Sequence, residues 1–343
     1  MLHAVLASYG FNDNEVQFEA LGNGLINDTW KITAVGKTYV LQRINDAVFK
    51  RPEDIASNVS NVATYLREHH PAYKFVAPVI TSTGEQMVYR KNEGYFRLFP
   101  FVLGSQSKNV VETSSEAFEA AAQFGKFTKV LAGINLNDLK TTIPDFHNLS
   151  LRYRQFTEAL ENGNQERIGK CADLIAQVRN NTAILDEYEQ IIVNPEFKLR
   201  VTHHDTKLSN VLFDEAGTGI CVIDLDTIMP GYFISDVGDM MRTYLSPVNE
   251  EEKDFTKIKI REDVYEAIVN GYCNEMKEVL TDTERKYFFY AGKFMIYMQA
   301  LRFITDHFNN DEYYGAKYHD HNLVRAANQM VLLERLIEME QKK

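Results

Sequence analysis

Apolar and polar positions alternate in short stretches through the first hundred residues. QFEALGNGLINDTWKITA and KTYVLQRIN read as three strands separated by turns, the last turn near Val35-Gly36-Lys37. RPEDIASNVSNVATYLREHH breaks that period. Its Ile55, Val59, Val62, Ala63 and Leu66 fall at helical spacing, and Pro71 marks the stop. FVAPVI, QMVYR and GYFRLFPFV return to a strand-like pattern, closed by Pro100 and Gly104.

Beyond Gly104 the periodicity becomes helical. Thr113 and Glu116 have capping-box spacing, and Ala117, Ala120, Ala121, Phe124, Phe127 and Leu131 form one apolar stripe behind them. A second helix is predicted over 165–190. TDTERKYFFYAGKFMIYMQALRFI opens with another capping box, Thr281 and Glu284, and its stripe is Tyr287, Ala291, Phe294, Met298 and Leu301. A last helix covers about 320–340, and only the stretch at 201–224 interrupts this half with strands. The pattern predicts a small sheet with one helix, a connection near 99–104, and a larger helical lobe with a hairpin inside it. A cleft between such lobes suits a small molecule.

Composition narrows the class. The chain has 343 residues, 45% of them hydrophobic and 25% charged, which is ordinary for a globular protein. Lys plus Arg number 37 against 48 Asp plus Glu, a net charge of −11 with no basic run, so nucleic acid is not an expected partner. The three cysteines, Cys171, Cys221 and Cys273, are widely spaced without a CxxC, which argues against a disulfide framework and structural zinc. No signal-like start and no membrane-length apolar run is present. A cytoplasmic, monomeric protein without membrane contact is expected.

VTHHDTKLSNVLFDEAGTGICVIDLDTIMPG, residues 201–231, carries the candidate chemistry. Phosphoryl transfer needs a carboxylate to orient the attacking hydroxyl, oxygen ligands for Mg²⁺, and positive charge at the transferring group. His203, Asp205 and Asn210 form H-x-D-x-x-x-x-N before one apolar strand, and Asp224 ends its hairpin partner. Both ends of such a hairpin converge at one rim. Lys207 stands two residues after Asp205, and Asp226 two after Asp224. A plain hairpin whose polar ends cap turns is the competing reading.

At these residues the chain resembles the aminoglycoside phosphotransferase-like kinases, a branch of the protein-kinase-like fold. LGNGLINDTW is similar to their nucleotide-covering loop. YVLQRIN, VFKRPEDIASNV, YFRLFPFV and ALRFITDHFNNDEYYG resemble the N-acetylhexosamine 1-kinase branch. The resemblance implies an α+β, bilobal fold. A small β-rich N-lobe with the nucleotide site would span 1–103, and a larger, mostly helical C-lobe with the catalytic loop and acceptor site would span 104–343. It implies ATP and Mg²⁺ as cofactors. Asp205 would be the base and contact the substrate, with Lys207 assisting in catalysis, and Asn210 and Asp224 would hold the metal. His203 would support the loop. Asp239, preferred over Asp236, would brace it through its backbone, and Arg302 and Tyr313 would bind a sugar acceptor.

Two departures from the kinase pattern stand out. The strand that should carry a phosphate-pairing lysine reads YVLQRI, which leaves Arg43 or Gln42 for the role. The helix that should carry an inward glutamate reads Ser57-Asn58. Nucleotide contacts are then expected from Gly22, Gly24, Asn27 and Arg43. For Asn27, turn capping explains the residue equally well. Asp224 to Asp239 is too short for a peptide platform, so a small-molecule acceptor is expected. The anomeric hydroxyl of an N-acetylhexosamine is the first reading, and an aminoglycoside, choline or other amino-alcohol the second. A non-catalytic nucleotide-binding scaffold is the third, motivated by the missing lysine–glutamate pair.

Overall fold

A computed structural model describes residues 2–12, 16–21 and 27–343. A short helix, α1 (Leu2–Ala7), precedes strands β1 (Val16–Ala20), β2 (Asp28–Ala34) and β3 (Lys37–Ile44). Helix α2 (Pro52–His69) follows, then β4 (Val88–Arg90) and β5 (Gly94–Pro100). These five strands make one antiparallel sheet in the order β1-β2-β3-β5-β4. The β2–β3 turn holds Val35 and Gly36 both at positive φ, which closes a two-residue hairpin with the twist of its strands. FVAPVI is not a strand. Pro78 cannot donate to a ladder, and the segment makes one tie, Val79 N to Leu98 O at 2.7 Å.

The second part is mainly helical. It opens with β6 (Gln106–Ser107) and α3 (Ser114–Val130), whose Thr113–Glu116 capping box forms as predicted. Next come α4 (Leu149–Asn162), α5 (Gln165–Gly169), α6 (Ala172–Asn180) and α7 (Ala183–Ile191). The single helix predicted over 165–190 is therefore three. Asn164 caps the first through its side chain, and the polar run Asn180-Asn181-Thr182 separates the last two. Strands β7 (Arg200–Thr202), β8 (Val211–Phe213), β9 (Gly219–Val222) and β10 (Met229–Gly231) follow. They pair as β6-β8-β9 and β10-β7. Helices α8 (Phe233–Tyr244), α9 (Glu262–Met276), α10 (Phe288–Phe308) and α11 (His321–Glu340) complete the chain.

Thr281 and Glu284 bond reciprocally, at 2.9 and 3.0 Å, but around a 3₁₀ turn; α10 begins only at Phe288. The fully buried Glu284 also receives both terminal nitrogens of Arg200 on β7, at 2.6 and 2.8 Å, which ties the strand to this turn.

Two apolar clusters hold the molecule. The smaller packs Val5 and Leu6 of α1 under Ile32, Leu41, Phe96 and Leu98 of the sheet. The larger gathers α3 and α7 to α11, and it also takes Ile55, Val59, Val62 and Leu66 of α2. So α2, although inside the first hundred residues, buries its stripe with the helical part. All three cysteines are free thiols, and among the described residues no helix is long and apolar enough to cross a membrane.

Candidate active site

The turn from β7 to β8 carries His203 to Asn210, and α8 holds it from below. Asp236 and Asp239 lie three residues apart on α8, hence on one face. Asp236 accepts from His203 N at 3.0 Å and from His204 N at 2.7 Å. Asp239 accepts from Thr206 N at 2.8 Å and pairs with Arg242 at 2.9 Å. The sequence-based preference for Asp239 as the brace is thus corrected: the two carboxylates share it, and Asp236 takes two of the three amides. Burial pushes the Asp236 carboxyl up to about 6, against the pull of the His203 amide.

His203 faces the other way. Its Nε2 donates to Ile223 O at 2.9 Å, and its ring meets Phe124 edge-on with centroids 5.1 Å apart. Ile223 N donates to Asn210 O at 2.9 Å, which closes the hairpin under the loop. Asn210 Nδ2 donates to Asp205 O at 2.8 Å and to Asp205 Oδ2 at 3.1 Å, so its Oδ1 is the atom suited to a metal. Lys207 Nζ lies 3.1 Å from the same Oδ2. Both side-chain contacts of Asp205 fall on Oδ2, and Oδ1 has no hydrogen-bond partner among the described residues. Burial lowers the Lys207 pKa, but Asp205, Asp224 and Asp239 outweigh it and hold the ammonium above its ordinary value.

Asp224 follows directly on Ile223 with φ 60° and ψ 64°, a left-handed conformation that costs a non-glycine residue energy. Burial pushes its carboxyl up to about 7, and repulsion from Asp226 and Asp205 adds to that.

Asn210 and Asp224 form the inner rim of a cleft of about 390 Å³ between the sheet and the hairpin. Val40, Val76, Phe99, Phe101, Leu212 and Leu225 give it apolar walls, and Gln42 also lines it. A flat heteroaromatic ring fits such walls. Arg43, expected as a nucleotide contact, lies on the opposite face of β3: it is 43% exposed, and its one carboxylate contact is Asp28 at 3.5 Å. Strand pleating puts Gln42 and Arg43 on opposite faces, and register gives the cleft to Gln42. The buried cation there is Arg97 of β5, which donates to Gln42 Oε1 at 2.9 and 3.2 Å and ion-pairs with Asp226. Asn27 Nδ2 donates to the other Asp226 oxygen at 2.8 Å. Gly22 and Gly24 lie outside the described residues.

Sequence reading missed Arg97, although a signal existed. A lone arginine inside the apolar run YFRLF must be paired if it is buried.

His204 also has a defined place. Its φ is 65°, and its Nε2 lies 2.7 Å from Thr202 Oγ1. That hydroxyl donates to Met229 O, so the network assigns the His204 proton to Nε2 and leaves Nδ1 to accept from His147 Nδ1 at 3.3 Å. Gly231 permits this contact, because a Cβ there would press into Thr202 Oγ1 and the His204 ring.

His147 stacks on Phe146 at 4.4 Å, and Arg302 lies over Phe146 at 5.8 Å. That path leads from the 203–210 loop to a second cavity of about 510 Å³, lined by Arg152, Gln155, Arg302, Asp306, Tyr313 and Tyr314 among others. Tyr313 is 71% exposed and lies with its hydroxyl 3.5 Å from Arg302 Nη2. Asp306 orders its loop by accepting from Tyr313 N and Tyr314 N, at 2.8 and 2.9 Å.

A family profile described as the phosphotransferase enzyme family matches residues 17–282. An aminoglycoside phosphotransferase from Alicyclobacillus acidocaldarius superposes with a TM-score of 0.65 at 14% identity, over 99% of this chain and 96% of its own. A microcompartment-associated aminopropanol kinase gives 0.65 at 17% identity, over 100% and 98%. A spectinomycin phosphotransferase solved with ADP and spectinomycin gives 0.61 at 14%, over 97% and 95%. The shared fold is the protein-kinase-like one.

Proposed function

The chain belongs to the phosphotransferase enzyme family, and from that premise we propose that it transfers the γ-phosphoryl group of ATP to a hydroxyl of a small polyhydroxylated acceptor. One observation carries this reading: Asn210 is bonded both to Asp205 and to Ile223, the residue before Asp224, and Asn210 and Asp224 line an apolar cleft.

Asp205 is the proposed base. Its Oδ2 is held by Asn210 and Lys207, which leaves Oδ1 to orient the acceptor hydroxyl and take its proton. Lys207 keeps its charge and stands beside the developing negative charge. Asn210 and Asp224 offer oxygen donors, and among the described residues no cage of three or more His, Cys, Asp or Glu forms. Two protein donors fit Mg²⁺, which completes its shell with nucleotide phosphates and water. Bound there with ATP, Mg²⁺ would neutralise charge on the phosphates.

For the acceptor, the second cavity supports a sugar. It offers a planar guanidinium, an exposed phenol ring and the fixed Asp306 carboxylate, which suit hydroxyl edges and a flat apolar face. The aminopropanol kinase and spectinomycin phosphotransferase neighbours favour a second reading, an amino-alcohol or aminoglycoside. The test is ADP release from Mg²⁺-ATP with N-acetylglucosamine, N-acetylgalactosamine, galactose, choline, aminopropanol and kanamycin. Turnover on a sugar is expected. Asp205→Asn should lower it by about 10²–10⁴-fold while nucleotide still binds. Turnover confined to the amines would keep the mechanism and discard the sugar.

A further inference from the structure

We infer that Arg97 is the positioning residue for the metal-binding turn, acting through Asp226 together with Asn27. The inference rests on the phosphotransferase reading of the cleft and assigns a task to residues that reading leaves without one.

The turn at 223–228 is gripped from both sides of the cleft. On the hairpin side, Ile223 is fixed by Asn210 O and by the His203 ring. On the sheet side, Asp226 is fixed by Arg97 and Asn27. Asp224 lies between the two grips, in its left-handed conformation. One residue separates it from Asp226, so displacing the Asp226 carboxylate displaces the backbone that carries the proposed metal ligand.

The geometry favours an indirect role for Arg97. Register sets Arg97 directly opposite Gln42 on the neighbouring strand, so the two side chains share one face of the sheet, and of the two Gln42 lines the cleft. Gln42 occupies the strand region where a phosphate-pairing lysine was expected. It orients the guanidinium instead, accepting from Nε and Nη2 while Nη1 meets Asp226. The side chains of Arg97 and Asp226 are each 3% exposed. Asn27 extends the grip, because its Oδ1 accepts from Asn45 N at 3.0 Å just beyond β3. A buried ion pair whose guanidinium is oriented by Gln42 and whose carboxylate is anchored by Asn27 fixes geometry more than it adds stability. Here it links the sheet that roofs the nucleotide cleft to the turn that would hold the metal.

The test is equilibrium binding of a fluorescent ADP analogue with and without Mg²⁺, on wild type, Arg97→Met, Asp226→Asn, the double variant and Arg97→Lys. Outer contacts of metal ligands commonly change metal affinity by about 10–100-fold. Arg97→Met and Asp226→Asn should each reduce the Mg²⁺-dependent gain in affinity by about tenfold. The double variant should lose no more than the worse single one, metal-free affinity should stay unchanged, and Arg97→Lys should recover part of the gain. The double variant leaves no buried charge unpaired, so it decides the matter if a single variant does not fold. Loss of metal-free affinity in Arg97→Met but not in Asp226→Asn would overturn the inference and make Arg97 a phosphate ligand. A Mg²⁺-dependent gain equal to wild type in the double variant would overturn it as well, with the phosphotransferase reading intact. No nucleotide binding by the wild type would overturn both.

Discussion

His204 shows how much one residue next to the proposed base depends on its surroundings. Burial, with the nearby His203 adding to it, depresses its pKa to about 3, and burial likewise holds His147 well below its usual value. A histidine whose folded pKa is depressed binds fewer protons folded than unfolded between the two values. Its stabilising contribution is complete above about 6.5, the ordinary histidine pKa, and is lost progressively as pH falls below it. His204→Asn tolerates the positive φ and removes the titration. The variant will be less stable near neutrality, through its lost contacts with Thr202 and His147. The gap in melting temperature to wild type should narrow between pH 6.5 and 5. A constant gap across that range would show that His204 does not titrate with unfolding. The sequence displayed His204 next to Asp205 but gave no reason for it, because His147 lies 57 residues away and the ring reaches the nearby Thr202 only through the left-handed backbone at His204.

Among the elements, α8 does the most for the site. It presents two carboxylates to the 203–210 loop and packs its other side on α10. Gly238 makes that approach possible, since a Cβ there would press into Ala291 O and come within 2.9 Å of Met295 Cβ. Gly238→Ala gains about 1 kcal/mol of helix propensity. The clash opposes this, because overpacking costs about 1–3 kcal/mol and a backbone carbonyl cannot rotate aside. A lower midpoint in urea unfolding is expected, together with a fall in turnover as Asp236 and Asp239 shift. A midpoint at or above wild type would show that the helices can separate without cost. Elements with strong periodicity, α2 and α3, were legible in the sequence. The three helices over 165–191 and the irregular segment around Pro78 were not, because their breaks depend on single caps and missing donors.

At the scale of the whole molecule, Asn58 shows how the lobes are joined. It sits at the centre of the α2 stripe, fully buried, where a charged partner was expected. Its Nδ2 donates to Lys140 O and Ile228 O, both at 2.8 Å, and its Oδ1 accepts from Lys140 N at 2.7 Å. Asn58→Ala leaves the buried Ile228 O without this partner and frees two partly exposed backbone groups of Lys140, and about 1–3 kcal/mol of stability should be lost. Chemical denaturation measures this directly, and a loss below about 0.5 kcal/mol, the range of ordinary surface substitutions, would contradict the account. An asparagine here, on a helix of the first hundred residues, satisfies two segments of the helical part without needing a buried charge, so α2 stays with the larger core.

What the sequence determined by itself is local: the strand and helix periods, the Thr113–Glu116 cap, the turn at Val35-Gly36, and the spacing of His203, Asp205, Asn210 and Asp224. These depend on residues a few positions apart, and such separations are readable without a fold. The tertiary structure alone decided which cation is buried beside Gln42, how Asp236 and Asp239 divide the loop, and why Asn58 replaces a charge. Arg97 lies 129 residues before Asp226, and Asn58 lies 170 before Ile228. Partnerships across such distances are set when whole lobes pack. The sequence can signal only that a polar residue on an apolar stripe needs a partner, and it does not say which one.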